Sequence, residues 1–455
     1  MKRAQTRRLA GLLALIAVCA LLFGCTGYEL PPVVEQQASG TASQSDPSYT
    51  SQLYIDIGMI DIEPTVLDMI IKAYQEKYPE VEVITHKLSE EEMAKGRDPS
   101  YPAPDILYVN GLNPSAYPGG PADIYAEMEK GTYLDLSAMW DVQPGDGLNS
   151  AMLDVGLHKG QRYIVPICFQ VPALLTSQEI MQELAFDPNA CTDLSGLFGQ
   201  VSSAQGRLSG EKAVVLTQQG AFQMFPFSGP GGIYDRGQGA IMDRAAFQQF
   251  CESYKPYAAA DGLTQRDQLK YNTDALTSFM NTGSADAVAC YMEDMGFTIM
   301  EGYLQLKADG QTPVILPLPD FKGGTQAQMA AGLAISAESQ NKENAYKFIK
   351  TMLSSDVQRE IHLGFHKAPV YTAVVEDNLH GVLGQGSATA KSSQPLTDED
   401  AQAYMDVFSS ITTCTLPDPA VADIFYACMS PYFEGKTDFD TCYDQMTSQL
   451  RSRLS

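Results

Sequence analysis

An α/β fold is predicted for residues 51 to 455, and three observations predict it. Leu53, Ile55, Ile57 and Met59 alternate with other residues and read as a strand; Leu67, Ile70, Ile71, Tyr74 and Tyr78 then share one helical face; Val81, Val83 and Ile84, and after them Asp105 to Val109, read as further strands. Strand, helix and strand in this order imply a parallel sheet with a right-handed crossover.

Glu63-Pro64 opens the first helix, because proline is tolerated where the first-turn N–H has no partner, and Pro79 stops it. The strand at 105 to 109 ends at Asn110-Gly111, followed by a Pro- and Gly-rich loop, a short strand at Leu134-Asp135-Leu136 and a segment centred on Gly160 to Pro166. Helical faces recur at Phe247, Phe250, Cys251 and Tyr254, at Ala345, Phe348, Ile349, Met352 and Leu353, and at Phe439, Cys442, Tyr443, Met446 and Leu450. Short apolar strands lie between them at Ala287 to Tyr291 and Leu333 to Ser336, and no internal repeat is evident.

The first 25 residues are not part of this pattern. Lys2, Arg3, Arg7 and Arg8 precede an apolar run from Leu9 to Phe23 that ends at Gly24-Cys25, which is the layout of an export signal. Leu22-Phe23-Gly24-Cys25 resembles a bacterial lipobox, whose cysteine is acylated and becomes the new first residue; Phe23 stands where the pattern carries a small residue. Without acylation the same run reads as an uncleaved membrane anchor. Residues 26 to 50 are rich in Pro, Ser, Gln, Thr and Gly and read as a flexible tether, since they offer little apolar surface to offset ordering entropy.

The chain has 455 residues and a net charge of −25; with the four basic residues of the signal removed the remainder carries −29. Nucleic acid and anionic lipid both reward clustered Lys and Arg, so neither fits as a partner. About 430 residues suffice for two domains with separate cores. After the signal no apolar run is long enough to span a bilayer. Beyond Cys19 and Cys25 the cysteines are Cys168, Cys191, Cys251, Cys290, Cys414, Cys428 and Cys442, an odd number without a CxxC pair, which reads as mostly buried thiols; a disulfide among the last three stays open.

The order of landmarks resembles the extracellular solute-binding proteins of ABC importers, in the sugar-binding group typified by maltose-binding protein. "AYQEKYPEVEV" (73 to 83) looks like that family's first helix and second strand, and "PDILYVNG" (104 to 111) like the strand ending at the ligand cleft. "GQRYIVPICF" (160 to 169) is similar to the segment entering the second lobe, and "FMNTGSADAVACYMEDMG" (279 to 296) to the segment crossing back. "ILPLPDFKGG" (315 to 324), "AAGLAISAESQNKENAYKFIKTMLSSDVQ" (330 to 358) and "HKAPV" (366 to 370) follow in family order. Thr176 and Ser177 replace a tyrosine and an asparagine common after Pro166, and Trp140 is the single tryptophan where sugar-binding members stack ligand on several.

The resemblance implies a two-lobe periplasmic-binding-protein-like fold with a hinge and an interlobe cleft. Residues 51 to 163 and 310 to 355 would form lobe one, and 164 to 309 and 356 to 455 lobe two. Clefts of this kind lie beyond the carboxyl ends of parallel strands and need a few orienting polar groups among apolar faces. On that logic the ligand-binding candidates are Asn110, Phe169, Gln170, Tyr234 in the glycine-rich stretch "FSGPGGIYD" (227 to 235), and Tyr291, Glu293 and Asp294. Each has a plainer alternative: Asn110 a turn residue, 227 to 235 a surface turn, 291 to 294 a solvated loop.

His362 and His366 are spaced for one helical face, but the intervening residues lack the glutamate of a metalloprotease motif and no third ligand is evident. "EGKT" (434 to 437) echoes a phosphate loop, yet Ser430 stands where its leading glycine belongs. The expectation is therefore a monomeric, non-enzymatic, cofactor-free binding protein with no metal. It would be lipid-anchored on the outer face of the cell membrane, capture a small solute, most simply a carbohydrate, and hand it to ABC permease subunits. A surface lipoprotein used in signalling or adhesion and a secreted hydrolase are the alternatives.

Overall fold

The structure is a computed structural model. It describes residues 51–454 except 58–63, 90, 93–96, 112–122, 144–146, 206–225, 261–290, 294–296, 366 and 384–395. The lipobox cysteine Cys25, Asp294, His366, the tether and most of the segment expected to cross back (279 to 290) lie outside the described residues.

Strand β1 (Ser51–Ile57) leads through helix α1 (Pro64–Lys77) to β2 (Val81–Lys87), which pairs with β1 in parallel from Ser51↔Val81 to Ile57↔Lys87. The alternation read from the sequence is the reason: Leu53 and Ile55 are buried on one side, and α1 lays Ile70 and Tyr74 over them. Strand β3 (Ile106–Asn110) pairs in parallel on the other side of β1, and helix α2 (Ile124–Lys130) follows, capped by the Asp123 carboxylate accepting from Ala126 N at 3.0 Å.

Next come β4 (Ile164–Gln170), β5 (Ala173–Ser177), α3 (Leu194–Gln205), α4 (Arg244–Ala260), β6 (Tyr291–Glu293), α5 (Phe297–Ala308) and β7 (Pro313–Pro317). The chain then forms the long strand β8 (Thr325–Ile335), α6 (Lys342–Met352), α7 (Ser355–Phe365), β9 (Ala368–Pro369), α8 (Asp398–Ser409), β10 (Ile411–Thr415), α9 (Pro419–Phe433) and α10 (Phe439–Leu454).

Two sheets organise these elements. The larger has the order β9-β4-β8-β3-β1-β2, with β10 also paired to β8; the smaller has the order β6-β5-β7. The larger sheet is mixed rather than purely parallel, because β8 runs antiparallel to both β3 and β4. Every residue of β8 is buried, so a strand expected only at 333 to 336 is 11 residues long. The strand expected at 134 to 136 does not form: Tyr133 makes an isolated bridge to Ser336, and Leu134 N donates to Ile335 O, on the last residue of β8, at 2.8 Å.

The smaller sheet lies between two hydrophobic cores. Along β5, Ala173 and Leu175 belong to the core that also fills the larger sheet, whereas Leu174 belongs to a second core built from α3, α4, α9 and α10. This is the period of two of a strand used to serve two cores at once. Helices α5 and α8 pack on the first face of that sheet, and α6 and α7 pack with α1 on the larger sheet. Strand β4 therefore sits in the larger sheet, β7 in the smaller one, and α7 against β4, each across a lobe limit drawn from the sequence at 163, 310 and 355. Strand partners, which set these limits, are non-local.

Candidate functional site

Because β3 and β4 both run antiparallel to β8, they run parallel to each other, and β3 parallel to β1 and β2. The carboxyl ends Ile57, Lys87, Asn110 and Gln170 thus share one edge of the larger sheet, while the amino half of β8 continues past it. That edge is where open α/β sheets present ligand sites.

Asn110 and Gln170 flank β8 on its two sides. Asn110 pairs with Ala331, and Gly111 N donates to Ala330 O at 2.9 Å; a Cβ at 111 would overlap the Met329 carbonyl, so the glycine permits this approach. Gln170, 2% exposed, donates to Gln328 Oε1 at 2.9 Å. Phe169 next to it is fully buried, edge-on to Phe408 at 5.9 Å between ring centroids, and packs in the core.

The glycine-rich stretch at 227 to 235 packs inward rather than forming a surface turn. Gly229 takes φ 89° and lies where a side chain would strike Thr415, Gly231 lies where one would strike Asp320, and Ile233 N returns to Phe227 O at 2.8 Å. Gln326 Nε2, on the amino end of β8, donates to Ser228 O at 3.2 Å, while Gln326 Oε1 is buried without a hydrogen-bond partner. Tyr234 is buried beside the loop, and that burial raises its phenol pKa.

Two residues further along, Arg236 joins the glycine loop to two helix starts. Its guanidinium makes three contacts of 3.0 Å with the Asp123 carboxylate, one of 3.2 Å with Asp418 Oδ2, and lies 4.7 Å from the centre of the Tyr125 ring. Asp418 caps α9 by accepting from Ala420 N at 3.1 Å, and its own N–H donates to Ser228 Oγ at 3.0 Å. Burial raises the Asp418 pKa despite the guanidinium, and burial likewise raises Tyr125. For Arg236 desolvation by burial pulls the pKa down, but the hydrogen bonds and charges of Asp123 and Asp418 together move it upward.

The structure brings Asn110, Gln170 and the 227 to 235 loop with Tyr234 to one region around the amino half of β8. Tyr291 and Glu293 lie on β6, opposite Leu175 and Ala173, at the margin of the smaller sheet. His362 lies in α7, and Glu434 to Thr437 form the turn between α9 and α10, with Thr437 N donating to Pro431 O. Among the described residues no group of three or more His, Cys, Asp or Glu is placed to hold a metal ion, and no two described cysteines form a disulfide with each other.

Sequence reading missed Asp123, Tyr125, Arg236, Gln326, Gln328 and Asp418. The signals available were local ones: an aspartate opening the helix at 124, and Asp418-Pro419, a capping residue before a first-turn proline. Neither discloses that Arg236, 113 and 182 positions away, meets both.

The chain resembles solved two-lobe binding proteins. The GacH receptor of Streptomyces glaucescens is 13% identical, with 89% of this chain and 98% of that one covered at a TM-score of 0.57. The sugar-binding protein MalE from Xanthomonas citri is 14% identical, with 89% and 97% covered at 0.58. The cyclic alpha-maltosyl-1,6-maltose binding protein from Arthrobacter globiformis is 13% identical, with 89% and 98% covered at 0.57. None of the curated proteins matches in sequence. The family model of the bacterial extracellular solute-binding proteins matches residues 70–381, more than half of the chain. With that match and the two-lobe architecture, the chain belongs to the bacterial extracellular solute-binding proteins.

Proposed function

We propose that this protein captures a carbohydrate, most simply an oligosaccharide, between its lobes and delivers it to the permease of an ABC importer. The observation that carries the reading is the set of buried amides, Gln170, Gln326 and Gln328, at the carboxyl edge of the larger sheet. An amide offers both donor and acceptor, which matches a sugar hydroxyl, and the buried Gln326 Oε1 retains unused acceptor capacity. The solved relatives support the same class: GacH has been seen with acarbose, and a substrate-binding protein from Listeria monocytogenes with cycloalternan.

In this reading lobe one is the larger sheet with α1, α2, α6 and α7, and lobe two is the smaller sheet with the helices on its two faces. Asn110, Gln170 and Tyr234, with Tyr291, Glu293 and Asp294 from the segment crossing back, supply ligand contacts, and Phe169 shapes the floor beneath them. Ligand touching both lobes favours the closed form by its differential affinity, so no covalent step and no cofactor are needed. Cys25 is acylated and the protein is held outside the cell by that lipid alone; among the described residues no helix is long and apolar enough to cross a membrane.

A thermal-shift screen of malto-oligosaccharides, cyclic glucans, amino acids and polyamines tests the ligand class. Saturation near 100 times Kd adds about 2.7 kcal/mol to the native state. A shift with polyamines or amino acids and none with any sugar overturns the carbohydrate assignment. Radiolabelled palmitate that still enters a Cys25→Ser variant overturns the anchor.

A further inference from the structure

We propose that Arg236 is an interlobe latch, a positioning residue that holds the cleft shut by clamping the first turn of α2 in lobe one to the first turn of α9 in lobe two. The proposal rests on the two-lobe capture reading and adds to it a residue that sets the closure equilibrium, and so the ligand affinity.

Arg236 belongs to the hairpin Tyr234–Asp235 and Ala240–Ile241, whose Ile233, Tyr234 and Met242 lie in the second core. Asp123 stands at the head of α2, whose Ile124 and Met128 lie in the core of the larger sheet. The contact between them therefore joins elements that share no sheet and no core cluster. It is also the strongest arrangement available to such a pair: a planar guanidinium facing a carboxylate through two nitrogens, each donating at 3.0 Å.

The second carboxylate makes the clamp three-sided. Asp418 heads α9, whose Val421, Ile424 and Phe425 lie in the second core, so Arg236 bridges two helix-capping carboxylates that would otherwise repel each other. The Arg236 side chain is only 12% exposed and Asp418 6%, so bulk water and salt compete poorly for these bonds. Tyr125 closes the fourth side. Its ring carries the guanidinium and its hydroxyl donates to Leu416 O at 3.4 Å, on the segment joining β10 to α9. Breaking the clamp to open the lobes exposes Arg236 and both carboxylates together, whereas the hinge strands β4, β8 and β10 keep their ladder bonds. The latch thus sets how often the cleft opens without dictating the fold of either lobe.

The test is pulsed electron-spin distance measurement on the full chain without ligand. Nitroxide amino acids replace the exposed Lys72 on α1 and Gln249 on α4, which leaves the native cysteines untouched. Arg236→Gln is expected to raise the population at long distance roughly tenfold or more over the parent. Arg236→Lys, which keeps charge without the fork, should fall between. Asp123→Asn keeps an N-cap acceptor for Ala126 N, so α2 persists, and it should open the lobes to the same extent; the double variant should open them no further than either single change. Unchanged distances in Arg236→Gln and Asp123→Asn, with native circular dichroism, overturn the latch. Maltotriose separates this from the capture reading. Distances that respond to the sugar but not to Arg236→Gln sink the latch and spare capture; opening by Arg236→Gln without any response to the sugar keeps the latch and counts against malto-oligosaccharides as ligand.

Discussion

Gly231→Ala is expected to be among the most damaging single-methyl additions in the protein, although it creates no polar change. A Cβ at 231 would overlap Oδ2 and Cγ of Asp320 and stand 3.0 Å from its Cβ. Asp320 has nowhere to go. It is 1% exposed, its Oδ1 accepts from Lys322 N at 2.8 Å and Gly324 N at 2.9 Å, its N–H donates to Gly324 O at 2.7 Å, and its carbonyl accepts from Leu194 N at 3.2 Å. Relief therefore costs two hydrogen bonds to a buried carboxylate, each worth about 1.5–3 kcal/mol, so a loss of about 3–6 kcal/mol follows. For a lobe-sized unit with a urea slope of about 3 kcal/mol/M, the midpoint by circular dichroism should fall by about 1–2 M. Gly199→Ala is the matched control: its Cβ meets nothing within 4 Å on the exposed side of α3, and the helix should gain about 0.5–1 kcal/mol. A Gly231→Ala midpoint within about 0.3 M of the parent would refute the claim that Asp320 pins the glycine loop.

Asp418→Asn retains the cap on Ala420 N, and Arg236 keeps its three contacts with Asp123. Because burial raises the folded-state pKa of Asp418 above its unfolded value of about 3.9, the parent loses stability as pH rises from there through the folded value, and stays at a deficit above it. The variant should therefore match the parent near pH 3.5 and exceed it at pH 7 in thermal melts; an advantage confined to low pH would contradict the assigned cause. Arg162→Lys removes a guanidinium lying 4.1 Å over the ring of Trp140, together with its bonds to Leu153 O and, at 2.7 Å, Asp154. Emission of this single tryptophan should shift and stability fall by about 1–3 kcal/mol, and an unchanged spectrum would deny the stacking.

The sequence by itself determined the local elements. Period two at Leu53 to Ile57 and the helical faces at 64 to 77, 342 to 352 and 439 to 454 are recovered nearly to the residue, because one face of each is buried and binary pattern follows from that. It also determined the family, through landmarks in a fixed order, and it placed Asn110 and Gln170 near strand ends and a glycine cluster before Tyr234, because these are local signals.

Pairing was decided only by the tertiary structure. Strand β8 is buried along its whole length, so the part from Met329 to Ile335, apolar or small throughout, carries no alternation to reveal that it runs antiparallel between β3 and β4. Leu174 and Leu175 look alike in sequence yet belong to different cores. Arg236 reads as an ordinary surface charge after a glycine loop until folding carries Asp123 and Asp418 to it. Burial then raises the Asp418 pKa despite the guanidinium beside it, and burial is a property of neighbours far along the chain.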